Sequence, residues 1–176
     1  MGLEKLVFID TETTGMSDED RVCQVAYKVW GENTVVQNFK PPCPIGLRAM
    51  AINHITEKIV ADCEPFEGSQ MWKDLADLIA DGYILVAHNA AFDLKMLARE
   101  GIVFDHHIDT MKLSRALGDS NIESHQLQYL RYYYELEVEA TAHSAAGDVD
   151  VLVAVFTKLH ELYGNVPVHQ LIETGV

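Results

Sequence analysis

VFIDTETTG (residues 7–15) decides the fold, because an apolar run ends there in two acidic residues and a turn. The apolar run predicts a buried central strand over residues 5–10. On an extended strand, residues two apart point to the same face, so Asp10 and Glu12 are expected side by side. Gly15 then ends the segment in a turn. One end of a central strand is therefore predicted to carry two neighbouring carboxylates.

Two later segments place further acidic residues next to predicted elements. VAHNAAFD (residues 86–93) follows a predicted strand and puts Asp93 early in a helix for which Asn89 is the expected N-cap. In AHSAAGDVD (residues 142–150), Asp148 lies similarly near the start of the last predicted helix. Helix N-termini favour negative charge and help keep such carboxylates ionised, as metal ligands must be. Simple capping electrostatics is the alternative explanation for both acids.

Four carboxylates brought to the end of one sheet would repel each other strongly unless cations lie between them. Hard oxygen ligands with no accompanying cysteine indicate Mg²⁺ or Mn²⁺. His143 lies in the loop five residues before Asp148, where a neutral imidazole is a suitable base near neutral pH. Two ions and a histidine base describe a site that cleaves phosphodiester bonds. The alternatives are solvated acids at a strand end and a histidine that only packs in the core or lies on the surface.

The rest of the pattern predicts an α/β domain with a mixed sheet flanked by helices, because three leading strands are followed by alternating helices and strands. A turn at residues 31–33 predicts a hairpin, which makes the second strand antiparallel to its neighbours. Later strands enter through helical crossovers and should run parallel to the first strand. The strands are predicted at residues 5–10, 22–30, 34–39, 83–87 and 102–109, and the helices at residues 48–54, 57–62, 69–80, 89–99, 110–117, 124–135 and 145–163.

Length and composition favour a single soluble domain. The 176 residues are enough for one hydrophobic core, so one domain over residues 1–176 is expected. No apolar run approaches the ~18 residues that span a bilayer, and the N-terminus shows no secretory signal. The three cysteines are odd in number and widely spaced, which argues against a disulfide framework and favours a cytoplasmic protein.

The net charge of −14 restricts how the protein can hold nucleic acid. Proteins that grip duplex DNA usually present a basic face. Two divalent ions would return roughly four positive charges at the place where a phosphate must lie. The remaining negative charge favours a small contact area on the end of a nucleic-acid strand. Most of this charge is also explained by a solvated acidic surface that aids solubility.

Several segments together carry a resemblance to a known family. FIDTETTG, AHNAAFD and AHSAAGD resemble, in this order, the three exonuclease motifs of the DEDDh (DnaQ-like) 3′-to-5′ exonucleases. PIGLRAMAINHITEKIVAD (residues 44–62) resembles the matching stretch of two members, exonuclease X and the bacterial polymerase III proofreading subunit. IDTMKLSRAL (residues 108–117) also resembles exonuclease X. The resemblance covers roughly residues 5–160 and implies a ribonuclease H-like fold with a five-stranded mixed sheet.

The resemblance also implies roles for individual residues. Asp10, Glu12 and Asp148 would hold one Mg²⁺ ion, for which Mn²⁺ would be able to substitute. Asp10 would share a second ion with Asp93, which acts largely through water, and His143 would deprotonate the attacking water. The implied contacts to the terminal nucleotide are Thr13, Gly15 and Met16, with His54 and Asn89 close to it.

Taken with the resemblance, the sequence predicts a two-metal exonuclease that removes nucleotides from 3′ ends of single-stranded DNA and releases nucleoside 5′-monophosphates. Three alternatives stay open: an RNA-trimming 3′-to-5′ exoribonuclease, a catalytically idle nucleic-acid-binding subunit, and a metal phosphohydrolase that acts on free nucleotides. The intact set of five residues argues against the idle subunit. DNA is preferred over RNA because the local match is to exonuclease X.

Three departures weaken a dedicated proofreading assignment. Asp148 is followed by Val149, where proofreading subunits carry alanine. The tail from residue 165 is too short for a polymerase-binding domain, and HQLIETGV (residues 169–176) lacks the aromatic residue of a clamp-binding peptide. A free-standing nuclease with no firm polymerase- or clamp-binding segment and no membrane contact is therefore expected, and the related RNA-trimming enzymes would allow a homodimer.

Overall fold

Six strands form one sheet with helices on both of its faces in the computed structural model, which describes residues 2–139 and 145–174. The strands are β1 (Leu6–Thr13), β2 (Val22–Val29), β3 (Val35–Asn38), β4 (Ile84–Ala87), β5 (His106–Asp109) and β6 (Glu173–Thr174). The helices are α1 (Leu47–Asn53), α2 (Glu57–Val60), α3 (Gln70–Ala80), α4 (Ala90–Arg99), α5 (Thr110–Ala116), α6 (Leu127–Tyr133) and α7 (Ala145–Leu162), with short 3₁₀ turns at Leu3–Lys5 and Val168–Gln170.

The strand order is β3-β2-β1-β4-β5-β6, so β1 lies inside the sheet. β2 runs antiparallel to both of its neighbours, as the hairpin predicts, and β4 and β5 continue parallel to β1. The mixed five-stranded sheet flanked by helices is therefore confirmed. A sixth strand of two residues, antiparallel to β5, is an addition that was not predicted. Two residues are too short to show the alternation from which strands are predicted.

The two faces of β1 are both covered, which explains its nearly continuous apolar run. Val7 and Ile9 point into a core that they share with residues of α3 and α4. Leu6 and Phe8 point to the other face, where Phe8 packs on Phe156 of α7 with ring centroids 5.4 Å apart. The carboxylates that follow in the same strand are therefore carried by an element fixed from both sides.

The predicted elements occur with shifted ends. The largest shift is in β5, which begins at His106 although the prediction begins at residue 102. Ser69 caps α3 as expected, with its hydroxyl accepting the backbone N–H of Trp72 at 3.1 Å. Within residues 2–139 and 145–174, no helix is long and apolar enough to cross a membrane.

The prediction that the Asn89 side chain caps α4 is wrong. Asn89 occupies the N-cap position in the left-handed conformation (φ 65°), and its side chain makes no capping hydrogen bond. The carboxylate of Asp109, at the end of β5, accepts the backbone N–H groups of Asn89 and Ala90, each at 3.1 Å. A buried carboxylate from a neighbouring strand thus replaces the local cap, which no pattern within the helix itself could indicate.

Asp109 also caps its own helix, because its Oδ1 accepts the backbone N–H groups of Met111 at 2.9 Å and Lys112 at 3.3 Å. One side chain, 2% exposed, therefore satisfies the first turns of both α4 and α5. The parallel pairing of β4 with β5 makes this possible, since Ala87 and Asp109 lie opposite each other at the ends of the two strands.

We expect Asp109→Ala to lower the free energy of unfolding by roughly 3 kcal/mol or more, because it leaves buried N–H groups of two helices without an acceptor. Ser69→Ala is the matched control, since it removes a single cap and should cost about 1 kcal/mol. Urea denaturation followed by circular dichroism measures both. Equal losses in the two variants would show that Asp109 does not support two helices.

Candidate active site

Three carboxylates meet where β1 ends and α7 begins. One oxygen from each of Asp10, Glu12 and Asp148 lies within 4.8 Å of the others. Asp10 and Glu12 share a face of β1, as their spacing predicts, and Asp148 lies in the first turn of α7. The backbone N–H of Ala145, the first residue of α7, donates to the Gln24 side chain of β2 at 3.3 Å. The start of α7 is thereby tied to the sheet beside β1.

Asp93 joins this region from α4 in a different way. It is 5% exposed, and its Oδ1 accepts both the backbone N–H of Thr11 at 3.0 Å and the Thr11 hydroxyl at 2.8 Å. Asp93 is not one of the three carboxylates whose oxygens lie within 4.8 Å. Its charge nevertheless acts on Asp10, so it contributes a fourth negative charge while it fastens α4 to β1.

The crowded carboxylates resist ionisation. Desolvation raises the pKa of Asp10 well above its usual range, and the charges of Asp93, Glu12 and Asp148 raise it further. Desolvation, followed by the charge of Asp148, raises the pKa of Glu12 to about 7, against an opposing contribution from the Asn53 amide. Desolvation also raises the pKa of Asp93 to about 7, although the hydrogen bonds from Thr11 favour its charged form.

The donor set fits a divalent cation. All three converging ligand atoms are carboxylate oxygens, which are the donors that hard cations such as Mg²⁺ prefer. A cation among them would replace mutual repulsion by attraction and would favour the ionised form of each carboxylate. The three carboxylates would therefore be electrostatically more favourable with a bound cation than without one, and the arrangement suits metal-assisted chemistry.

Gln128 is a site residue that the sequence did not indicate. It lies on α6, and its side-chain amide donates to Asp148 Oδ1 at 2.6 Å. Arg131, one turn later on the same helix, donates to the Gln128 oxygen at 3.4 Å. A glutamine inside a helix carries no motif, so only its position in space connects it with Asp148.

A cavity of about 680 Å³ opens beside Glu12. It is lined by Thr11, Glu12, Thr13, Thr14, Gly15, Met16, Ser17, Asp20, Gly46, Leu47, Arg48, Ala49, Ile52, Asn53 and Phe92. Three of the five residues expected to contact a nucleotide, Thr13, Gly15 and Met16, are among them. Met16 is 82% exposed, as is Leu47, so the cavity has apolar side chains at its surface.

The other two expected contacts, His54 and Asn89, are not among the described residues that line the cavity, and both are exposed. His54 ends α1 in the left-handed conformation (φ 59°). The neighbouring Asn53 lies at the cavity instead, 7% exposed, where its amide donates to the Thr13 carbonyl at 3.2 Å. The role of His54 and Asn89 stays a prediction. The sequence pattern indicated the histidine and gave no sign of the asparagine before it.

Gly15 is required by the packing of its own loop. A Cβ at this position would lie 2.6 Å from a carboxylate oxygen of Asp20, which is closer than a Cβ carbon approaches a non-bonded atom. The glycine therefore allows Asp20 to fold back onto the backbone that lines the cavity.

His143, the predicted base, and the residues beside it from 140 to 144 lie outside the described part of the chain.

Comparison with known proteins identifies the family to which the chain belongs. A family model described as "Exonuclease" matches residues 7–156. The chain is 32% identical over 177 residues to a DNA polymerase III subunit epsilon-like protein of Rhodobacter capsulatus, covering 89% of this chain and 24% of that protein. It is 30% identical over 162 residues to the DNA polymerase III subunit epsilon of Treponema pallidum, covering 85% of this chain and 74% of that protein.

Two solved structures are similar over most of the chain. Exonuclease X in complex with 5′ overhanging duplex DNA gives a TM-score of 0.74 at 28% identity, covering 94% of this chain and 96% of that chain. Cell-death related nuclease 4 gives a TM-score of 0.67 at 15% identity, covering 92% and 64%, and this likeness concerns the fold alone. The chain spans only 24% of the Rhodobacter relative and 12% of a PolC-type DNA polymerase III from Lacticaseibacillus paracasei.

The raised pKa values predict how stability depends on pH without metal. Glu12 and Asp93 have pKa values of about 7 in the folded protein, and unfolded carboxyls titrate near ~4. Between these values the folded state binds more protons than the unfolded chain, so stability falls as pH rises from about 4 to about 7. In EDTA, the melting temperature should fall over this range, and saturating Mg²⁺ should raise it most at the alkaline end.

Asp10→Asn tests the same electrostatics, because it removes one crowded charge. Without metal this variant should melt above the wild type at about pH 8, and it should lose most of the Mg²⁺-dependent increase. Asp62→Asn, an exposed acid of the α2–α3 loop, is the control and should behave as the wild type. A wild-type melting temperature that rises with pH in EDTA would contradict the assignment of repulsion to this site.

Proposed function

Because the chain belongs to the exonuclease family, we propose that it removes nucleotides from the 3′ ends of single-stranded DNA and releases nucleoside 5′-monophosphates. The observation that carries this proposal is the set of three carboxylate oxygens within 4.8 Å beside an open cavity. The cavity volume of about 680 Å³ is that of a site for a small molecule, which suits a terminal nucleotide better than a duplex.

Each acidic residue has a proposed part. Asp10, Glu12 and Asp148 would hold one Mg²⁺ ion, for which Mn²⁺ would be able to substitute, and Asp10 and Asp93 would hold a second ion. When bound, the two ions neutralise the carboxylates and stabilise the charge that develops on the phosphate. His143 takes the proton of the attacking water. Gln128 supports this arrangement, since its hydrogen bond at 2.6 Å orients the Asp148 carboxylate.

The cavity supports recognition of a single nucleotide at a strand end. Met16, Leu47, Ile52 and Phe92 offer apolar surface on which a base can stack. The backbone of Thr13 and Gly15 lines the cavity, where it can contact the sugar. The net charge of −14 allows few phosphate contacts beyond the metal site, and this favours a short grip on one strand.

DNA is the proposed substrate because the similar structure of exonuclease X holds DNA with a 5′ overhang. The recessed 3′ end of such DNA belongs to a duplex, so this likeness supports DNA, while the proposed single strand rests on the cavity and the net charge. The 28% identity over nearly the whole chain connects the two proteins more closely than fold alone. RNA differs by a 2′-hydroxyl that a few contacts near the terminal sugar would read. Matched DNA and RNA oligonucleotides therefore belong in the same experiment.

We expect the protein, with Mg²⁺, to shorten a 5′-labelled single-stranded DNA stepwise and to leave a 3′-blocked oligonucleotide intact. The cavity accepts a strand end, so an inverted terminal nucleotide should prevent digestion, whereas a 5′ block should have no effect. Gel electrophoresis of the products measures both. Cutting of circular single-stranded DNA would contradict exonuclease activity. Faster shortening of the matched RNA than of the DNA would identify RNA as the preferred substrate.

We expect His143→Ala to reduce the single-turnover rate by roughly 10²- to 10⁴-fold, because a positioned base contributes about that much. The variant should keep the Mg²⁺-dependent increase in melting temperature, which Asp148→Ala should lose. Wild-type rates should rise with pH where imidazole loses its proton, near ~6.5. His106→Ala is the control, since His106 is exposed at the start of β5. A near-normal rate in His143→Ala with the same pH profile would rule out His143 as the base.

A further inference from the structure

The loop between β1 and β2, residues 14–21, forms one wall of the cavity. Gly15, Met16, Ser17 and Asp20 all line it, so the position of this loop decides the shape of the space beside Glu12. None of its eight residues has strand or helix conformation, so the loop needs other contacts to stay in place.

Inside the loop, the Asp20 carboxylate accepts three hydrogen bonds. Asp20 accepts the Thr14 hydroxyl at 2.7 Å, and it also accepts both the backbone N–H and the hydroxyl of Ser17 at 2.6 Å. These hydrogen bonds, with that of the Ser17 hydroxyl first, lower the pKa of Asp20. Arg21 closes the loop, because its backbone N–H donates to the Thr14 hydroxyl at 3.0 Å. The loop is therefore a small unit with its own internal structure.

The unit is attached to α4 through Arg99. Its Nη1 donates to the backbone carbonyls of Ser17 at 2.8 Å and Asp20 at 3.0 Å, and its Nη2 donates to Asp18 Oδ1 at 2.8 Å. The Arg99 side chain is 15% exposed, whereas that of Asp18 is 82% exposed. Exposed ion pairs contribute little, so the two hydrogen bonds to backbone carbonyls are the firm part of the attachment.

We propose that Arg99 is a positioning residue, which holds the Gly15 and Met16 wall of the cavity at a fixed distance from Phe92 of the same helix and thereby sets the affinity for the 3′-terminal nucleotide. The identity of that ligand rests on the proposed function. Arg99 is six residues beyond Asp93, about 9 Å along the helix, so its loss leaves the carboxylates in place. Binding of the nucleotide should change and the chemical step should not.

The test compares Arg99→Met with the wild type in two measurements. Steady-state kinetics on single-stranded DNA should show KM raised by roughly tenfold or more, because a hydrogen bond to a charged group is worth about that factor, with kcat changed by less than about twofold. Amide hydrogen exchange should be faster at residues 14–21 by a similar factor and unchanged in α4 and β1. If Arg99→Met does not fold, Arg99→Lys replaces it. KM should still rise because an ammonium group cannot reproduce the forked geometry, and the rise should be smaller because the charge is retained.

Two controls separate the carbonyl bonds from the ion pairs. Lys95→Met removes an exposed ammonium group whose ion-pair partner in the loop is Asp18. Asp18→Asn removes the carboxylate that pairs with both Lys95 and Arg99. Both variants should keep the wild-type KM and exchange rates. If Asp18→Asn reproduces the effects of Arg99→Met, the exposed ion pair holds the loop and the assignment to the carbonyl bonds is wrong.

Failure of this inference is distinguishable from failure of the proposed function. A wild-type protein that digests no nucleic acid overturns the proposed function, while faster exchange of residues 14–21 in Arg99→Met still supports the attachment of the loop. A wild-type protein that digests single-stranded DNA, together with unchanged KM and unchanged exchange in Arg99→Met, overturns the role of Arg99 alone.

Discussion

Repulsion among the carboxylates at the end of β1 is the constraint around which this protein is organised. Asp10, Glu12 and Asp148 are held with oxygens within 4.8 Å, in a chain whose net charge is −14. They stay together because each belongs to an element whose apolar residues are buried: β1 is covered on both faces and α7 packs across it. Burial of the core supplies the free energy that opposes the repulsion, and a cation relieves it.

Aspartates have two structural roles in this protein, and the roles differ in the groups that donate hydrogen bonds to the carboxylate. Asp109 accepts four backbone N–H groups and thereby joins the first turns of two helices. Asp93 and Asp148 accept from side chains on other elements, Thr11 on β1 and Gln128 on α6. The first pattern stabilises the fold. The second pattern ties α4 to β1 and α6 to α7, and β1 and α7 are the two elements that carry the three converging carboxylates.

The elements that surround the cavity were predictable to different degrees. Met16 and Gly15 follow β1 in sequence, so their place beside Glu12 follows from chain connectivity. Phe92 and Asn53 come from α4 and the end of α1, and only the folded chain brings them to the same cavity. Local patterns extend over a few residues, whereas the cavity is assembled from segments that lie up to 81 residues apart, from Thr11 to Phe92.

Local sequence patterns were enough to predict the central strand, the order of helices and strands, the shared face of Asp10 and Glu12, and the membership in a family of nucleases. These features depend on periodicity and on motifs that are local in the chain. The folded chain was needed to show that Asp109 caps α4 in place of the Asn89 side chain, and that Arg99 reaches the β1–β2 loop. Such contacts arise because a buried polar group must find a partner, and the nearest partner in space is often distant in sequence.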